Sequence, residues 1–474
     1  MKSSIKKFER TLVFFLKMAL LACLFFLFFL LFSIENPQIF RLSRTAAVTM
    51  VTFAILEVSL MSVYGGYALG RQKSRAIVHS MMLATILTDL VTYLQLCIMN
   101  TNPSNNLQFR FADPEILLVC IVLQIVVIVT FAYGGNYLYF KMNPPEKSCI
   151  ITSSQYSLNR ILPKINKYRL QYRITDIVDY RSEDVLDKIL ENDTIFLYDV
   201  PIEQRTHFIE YCYDNQKNIY YNPELCDVVA ISAKNVLLDD KTMICSQVKE
   251  LSLEQRMMKR AMDLILSTIA LVIASPVMLI CAAAIKLEDH GPVFFTQKRA
   301  TKGGTVFRVY KFRTMKVHDE NEVQVSAAAD DDRITKIGAQ LRRFRLDELP
   351  QIFNILKGEM SIVGPRPEMM ENVYRYTEEL PEFQYRLRVK AGLTGLAQIA
   401  GKYNTSPKDK LVLDLIYIEN YSVWQDIKLI FQTLLVFLKS GDSTEGFSEE
   451  NVVEFKKYDA QHQKEEKEEN FKTE

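Results

Sequence analysis

Between Arg342 and Glu368 the chain brings together side chains that could do chemistry. Arg342, Arg343 and Arg345 are followed at once by the acidic neighbours Asp347 and Glu348. An apolar helical run, 352–356, comes next, and Gly358 is placed to stop it. Gly364-Pro365-Arg366-Pro367 then forms a rigid turn that presents one more guanidinium. Carboxylates held among cations keep a low pKa and stay ionised, as a nucleophile or a metal ligand must. Arginine is also the preferred partner of phosphate oxygens. A phosphate, a divalent cation and an anionic nucleophile would all fit here. Taken alone, the Asp-Glu pair reads more readily as a solvated helix face with local ion pairs, and the surrounding elements reverse that.

The 474 residues suffice for about three domains. The formal net charge of +1 gives no overall field for nucleic acid. Eight cysteines are scattered without a CxxC pair, which argues against a disulfide framework or a zinc site. The five histidines do not cluster with cysteines or carboxylates, so a histidine-based triad or metal site is not expected.

Four apolar runs in 1–145, at 12–33, 46–69, 76–99 and 115–139, are long enough to cross a bilayer as helices, which takes about 20 residues. The first is too long for a removable signal peptide and lacks a small-residue cleavage site. Lysine and arginine concentrate before the first run, between the second and third, and after the fourth, so both ends of this bundle are expected to face the cytoplasm. Glu57 and Asp89 lie inside spans. Such groups can mark a transport path, but with one each the preferred reading is hydrogen bonding between helices.

After Asn143-Pro144-Pro145, four short apolar segments (148–152, 173–178, 194–198, 218–221) alternate with amphipathic stretches near 154–167, 182–191 and 201–216. That alternation predicts a small parallel sheet with helices on its faces, a Rossmann-like α/β domain over 146–250. Ser153-Ser154-Gln155-Tyr156 stands where a GxGxxG phosphate loop would follow the first strand, so the domain reads as a degenerate nucleotide fold with a regulatory or assembly role. The run 261–285 is again long enough to span, but Ser275-Pro276 predicts a break. Lys259 and Arg260 precede the run and Lys286, Lys298, Arg299 and Lys302 follow it, which favours a re-entrant helix over a fifth span.

From 291 to 440 the chain is dense in motifs. Lys311-Phe312-Arg313 ends a predicted strand, 316–331 reads as a polar loop, and 332–335 caps the helix carrying the arginines. Residues 408–438 form an amphipathic helical stretch with Trp424, suited to a membrane interface or to ordinary core packing. The tail 445–474 is charged and reads as disordered.

Seven segments occur in register: KRAMD (259–263), the Ser275-Pro276 break, KFRTM (311–315), DDRITKIG (331–338), LDELPQ (346–351), KGEMSIVGPRP (357–367) and GLTGLAQI (392–399). Together they resemble the bacterial polyprenyl-phosphate glycosyl-1-phosphate transferases, over roughly 254–440. The upstream helices and α/β segment are similar to the long-form members that initiate capsule or exopolysaccharide synthesis. The resemblance implies a multi-domain membrane protein: a four-helix transmembrane bundle (1–145), the Rossmann-like domain (146–250) and a monotopic α/β catalytic domain (251–444) with a re-entrant helix at 261–285.

It further implies transfer of a sugar 1-phosphate from a UDP-sugar to polyprenyl phosphate, with release of UMP, on the cytoplasmic face of the bacterial inner membrane. Asp347 takes the nucleophile position and forms a phosphosugar-aspartate, while Glu348, with Asp347, holds Mg²⁺. Arg366, flanked by Pro365 and Pro367, and Arg342 match positions at the donor phosphates. Lys311 and Arg313 belong to a family motif as further substrate contacts, and Asp263 matches a position that orients the helix or the site. A homodimer is expected. Arg345, Lys390-Ala391-Gly392 and Lys402 depart from common family residues, which blurs the identity of the sugar. From another class, the chain could be a decayed transferase that scaffolds a polysaccharide assembly complex; a transporter fits less well, for want of internal repeats.

Overall fold

A computed structural model describes residues 2–35, 37–40, 43–99, 111, 113–246, 251–316, 333–401 and 406–438. The loop 317–332 and the tail from 439 therefore lie outside the described residues. The chain divides between Asn222 and Pro223 into two compact units.

In the first unit the apolar runs become four long helices: α1 (Lys2–Glu35), α2 (Arg44–Tyr64), α3 (Ser74–Met99) and α4 (Pro114–Met142). Helix α2 packs on α3, α3 on α4, and α4 on α1. Phe28, Phe29 and Phe53 are fully buried between α1 and α2 in mutual ring contact. Gly65, in the left-handed conformation, stops α2 five residues short of the apolar run's end. The two carboxyls within the apolar helices, Glu57 and Asp89, are hydrogen-bonded between helices. Thr85 Oγ1 donates to Glu57 at 2.8 Å, and Gln124 Nε2 donates to Asp89 at 3.4 Å.

Beyond α4 the period changes to that of an α/β layer. Strands β1 (Glu146–Thr152), β2 (Tyr172–Asp179), β3 (Thr194–Tyr198) and β4 (Asn218–Tyr221) form one parallel sheet in the order β2-β1-β3-β4. Helices α5 (Gln155–Asn166), α6 (Val185–Glu191) and α7 (Ile202–Asp214) connect them. Alternate residues of the central strand β1 feed two separate cores. Cys149 and Ile151 pack with Val185, Ile189, Phe208 and Cys212; Ile150 packs with Leu158, Leu162 and Ile165. Both faces of a parallel sheet must be covered, which is why Cys149, Ile150 and Ile151 are apolar at consecutive positions in β1.

The second unit opens with α8 (Leu225–Ser232) and a hairpin, β5 (Lys234–Leu238) and β6 (Lys241–Cys245). The sequence reading joined this segment to the preceding sheet domain. In the structure Val228 of α8 is buried with Val363, Phe383, Leu411 and Leu415 of the motif-dense region, because its apolar face matches that core. Next come α9 (Leu253–Asp289), the antiparallel pair β7 (Phe294–Ala300) and β8 (Val306–Phe312), α10 (Lys336–Arg343), α11 (Gln351–Lys357) and β9 (Ser361–Val363). The unit closes with α12 (Met370–Glu379), β10 (Gly392–Thr394), α13 (Leu396–Ala400), α14 (Pro407–Glu419) and α15 (Val423–Leu438).

Helix α9 differs from expectation in one respect. It runs without interruption through Ser275-Pro276. Proline cannot supply the N–H that the carbonyl four residues back requires. Here the Ser275 hydroxyl donates to that carbonyl, Val272 O, at 2.9 Å, so the helix continues where a break was predicted.

Candidate active site

The Asp-Glu pair lies on a single 3-10 turn, Leu346–Glu348, between α10 and α11. Thr335 caps α10 by accepting from Gly338 N. Gly338 abuts the Thr314 backbone so closely that a Cβ would lie 2.1 Å from Thr314 O, which ties α10 to the end of β8. Arg345 then takes a left-handed conformation (φ 54°), turning the chain sharply after α10. Gly358, also left-handed, ends α11 and lets the chain return as β9.

Lys311, at the end of β8, meets both acids: its Nζ is 3.0 Å from Glu348 Oε1 and 3.9 Å from Asp347 Oδ2. Arg366 Nη2 reaches the same Glu348 oxygen at 3.1 Å while its side chain remains 46% exposed, enough to meet a ligand. Arg342 Nε donates to Thr314 Oγ1 at 2.9 Å, and its charge acts on Asp347. Thus Asp347, Glu348, Lys311, Arg342 and Arg366 come together, with Pro365 and Pro367 framing the last. Arg313 does not join them. It is buried and paired with Asp289 at the end of α9.

The two acids differ electrostatically. For Glu348, burial is the largest single influence and alone would raise its pKa. The charges of Arg366 and Lys311, and hydrogen bonds from both, outweigh it and hold the carboxyl well below the usual range. For Asp347, burial dominates and Glu348 adds repulsion, so its pKa is raised despite Lys311, Arg342 and Arg366. The expectation that both acids share a low pKa is therefore corrected for Asp347. Its nearest cation is almost 4 Å away and already engaged by its neighbour.

The turn carrying Arg366 is held from behind by residues that the sequence reading missed. Three glycines meet there with no room for a side chain. A Cβ on Gly392 would lie 2.1 Å from Gly364 N, and one on Gly395 would lie 2.2 Å from Gly364 O. Gly364 N donates to Thr394 O and Gly392 N to Pro365 O, each at 2.8 Å. Three buried or half-buried cations then grip the turn's carbonyls. Lys259 Nζ donates to Val363 O (3.0 Å), Arg386 Nη2 to Arg366 O (2.9 Å) and Arg299 Nη1 to Pro367 O (3.2 Å). Two of the cations have buried counter-charges, Asp426 at 2.6 Å from Lys259 and Asp414 at 2.8 Å from Arg386.

Asp263, expected to orient the helix or the site, accepts from Ser361 Oγ (3.0 Å) and Ile362 N (2.9 Å). Arg260 donates to Ile355 O and Leu356 O, carbonyls at the end of α11. Nothing local marks Arg386, whose partners Asp414 and Arg366 O are distant in sequence; Arg299 has a near partner in Gln297 Oε1, but its bond to Pro367 O crosses the fold.

The family model for bacterial sugar transferase matches residues 254–440. A UDP-N-acetylgalactosamine-undecaprenyl-phosphate N-acetylgalactosaminephosphotransferase of Aeromonas hydrophila is 43% identical over 183 residues, 38% of this chain and 43% of the relative. A UDP-glucose:undecaprenyl-phosphate glucose-1-phosphate transferase of Escherichia coli K12 is 44% identical over 184 residues, 38% of this chain and 40% of the relative. The chain thus spans about two fifths of these two relatives. The galactosyl transferase CpsE of Streptococcus agalactiae serotype III is 31% identical over 344 residues, 65% of this chain and 75% of the relative. With three quarters of that relative matched and the core of the second unit fitting the family model, this chain belongs to the bacterial sugar transferase family.

Proposed function

We propose that the protein transfers a sugar 1-phosphate from a UDP-sugar to polyprenyl phosphate in the bacterial cytoplasmic membrane, initiating synthesis of a surface glycan such as capsule or exopolysaccharide. The observation that carries this reading is a carboxylate, Asp347, beside a second, strongly ionised one, Glu348, under Lys311, Arg342 and Arg366. Asp347 attacks the sugar-bearing phosphorus. A carboxylate oxygen–phosphorus bond forms, the pyrophosphate bridge breaks and UMP leaves. A polyprenyl phosphate oxygen then attacks the same phosphorus, the aspartyl bond breaks and the free carboxylate returns.

A dianionic donor cannot be approached by a carboxylate until its charge is offset, which is what the half-exposed Arg366 and Lys311 supply. The raised pKa of Asp347 also suits the role, since a more basic carboxylate is the better nucleophile once ionised.

Among the described residues no group of three or more Asp, Glu, His or Cys side chains is placed to hold a metal. Mg²⁺ in phosphoryl-transfer sites needs fewer, one or two carboxylates completed by phosphate oxygens and water. Asp347 and Glu348 fit that donor set. Both of Glu348's cations converge on Oε1. When bound, Mg²⁺ would neutralise charge developing on the pyrophosphate.

The membrane reading takes α1–α4 as spans and α9 as re-entrant. Among the described residues these five helices are long and apolar enough to cross. Both ends of α9 are held by one α/β unit: Lys259, Arg260 and Asp263 at its start, and Ile285 and Asp289 at its end. Between them Ile265, Val272, Ile273 and Ile280 are exposed. This supports a helix that dips into the bilayer and leaves on the same face. The four-stranded sheet reads as the Rossmann-like domain.

The deciding experiment measures UMP release by the full chain in nanodiscs across a panel of UDP-sugars, with Mg²⁺ and with or without polyprenyl phosphate. Release with one or two sugars, lipid-dependent for multiple turnovers, is expected. No release from folded protein across the panel would refute the reading. For topology, cysteines replacing the exposed Glu254 and Leu287 should be labelled from one side of the membrane. Labelling from opposite sides would make α9 a true span.

A further inference from the structure

We propose that Arg386 is a positioning residue for Arg366, acting through the Arg366 backbone with Asp414 as its counter-charge. This rests on the reading of Arg366 as a donor-phosphate ligand. Arg386 is 3% exposed, so it cannot serve a ligand in solvent itself. Its guanidinium is divided among three partners. Nε and Nη2 both bond Asp414 Oδ2, at 2.9 and 2.8 Å. Nη2 also donates to Arg366 O at 2.9 Å, and Nη1 is 3.7 Å from Glu368 Oε1. The same group stacks on Phe383, 4.9 Å from the ring centre.

Each contact constrains the Arg366 carbonyl from a rigid body. Asp414 lies on α14 and is 1% exposed; Phe383 is fully buried in the same core. The glycine contacts fix Gly364 and Pro365 and Arg299 holds Pro367 O, so Arg386 is the side chain that holds the carbonyl between them. The guanidinium meets Asp414 and the Arg366 carbonyl from nitrogens fixed in one plane. Lysine would keep the charge but carry it on a single nitrogen at the end of a flexible stem, without that fixed plane. The guanidinium of Arg366 would then no longer be aimed at Glu348 and the space beside Asp347.

The test is a double-mutant cycle on the full chain in nanodiscs, with R386K, R366A and the pair, repeated with D414N in place of R386K. Two quantities are read: affinity for UDP with Mg²⁺, and kcat/KM for UMP release. R366A should lose about 100-fold, the order seen when one charge-stabilising donor is removed. R386K and D414N should each lose about tenfold, and each pair should lose no more than R366A alone. The acid limb of kcat/KM should move to higher pH in R386K as in R366A, because Arg366 lowers the Asp347 pKa.

Losses that multiply in the pair, or wild-type behaviour in R386K and D414N, would overturn the proposal. Should R386K fail to fold, the D414N cycle decides. A wild type that binds UDP but releases no UMP would refute the transferase reading and leave the binding cycle to judge Arg386. A wild type that binds no UDP overturns both.

Discussion

The parallel sheet domain and the motif-dense region make opposite use of the same chemistry. Strands β1–β4 form the more regular architecture, in an order whose switch point, between β1 and β3, is where doubly wound folds bind ligands. Here that end is filled from within. Ser157 Oγ donates to Asp199 at 2.7 Å, and Asn222 Nδ2 to the other carboxylate oxygen at 3.2 Å. Asp199 therefore places a fixed anion near the start of α5, where a phosphate would otherwise lie. The second unit has strands of three, five and seven residues and several 3-10 turns, yet its acids stand among cations that a ligand can reach. Regularity of fold and availability of charge are thus separate properties. The sheet satisfies its charges internally; the active site leaves a half-exposed guanidinium and a buried acid with a raised pKa.

Four substitutions test that contrast. The largest effect should come from D347N, which removes the proposed nucleophile and should lower UMP release by about 10⁶-fold, the scale of losing a covalent catalyst. A folded pKa raised above the unfolded value means that ionised Asp347 costs stability once pH exceeds the unfolded pKa. D347N should therefore melt no lower than wild type at pH 8, by differential scanning fluorimetry. A lower melting temperature would contradict the raised pKa. Glu348 is the reverse case. Its depressed pKa contributes stability at neutral pH that is lost as pH falls through the folded value, so E348Q should melt lower at pH 8.

Next in size, K311M should reduce kcat/KM by about 10²-fold as a charge-stabilising donor is lost. The pH profile then resolves the pair. The acid limb should lie above the ordinary aspartate value of about 3.9. K311M should move it up, since Lys311 lowers the Asp347 pKa, and E348Q should move it down, since Glu348 raises it. Shifts in the same direction would mean that the limb belongs to another group. The smallest effect belongs to the sheet domain: D199N should leave UMP release unchanged while lowering the melting temperature by a few degrees, as expected for a weakened buried hydrogen-bond pair. A change in turnover would give the sheet a catalytic influence that its internal satisfaction argues against.

Much of this was legible in the sequence. The four N-terminal helices follow from length and hydropathy, and all four strands of the sheet from short apolar segments between amphipathic ones. Asp347, Glu348, Lys311 and Arg366 were recoverable as a set because their motifs are short and rich in charge. Three things were not legible. One is the continuity of α9 through Pro276, where the Ser275 hydroxyl partners the Val272 carbonyl that proline cannot. The separate fates of Lys311 and Arg313, two residues apart on one strand end, depend on which neighbour each finds: the acidic turn or Asp289. Arg299 and Arg386 bond carbonyls across the fold, and backbone partners leave no trace in residue identity.

The grip of α9 on the turn that carries Arg366 bears on how the protein can be handled. Lys259 is 7% exposed and Asp426 fully buried. Cutting the chain after α9 to obtain a water-soluble fragment would strip Asp426 of its counter-ion and Val363 O of its charged donor, leaving each with the Tyr417 hydroxyl alone. An orphaned buried charge of that kind costs about 3–5 kcal/mol, a large part of a domain's whole stability. Solubility here has to come from amphiphiles around the intact chain rather than from shortening it.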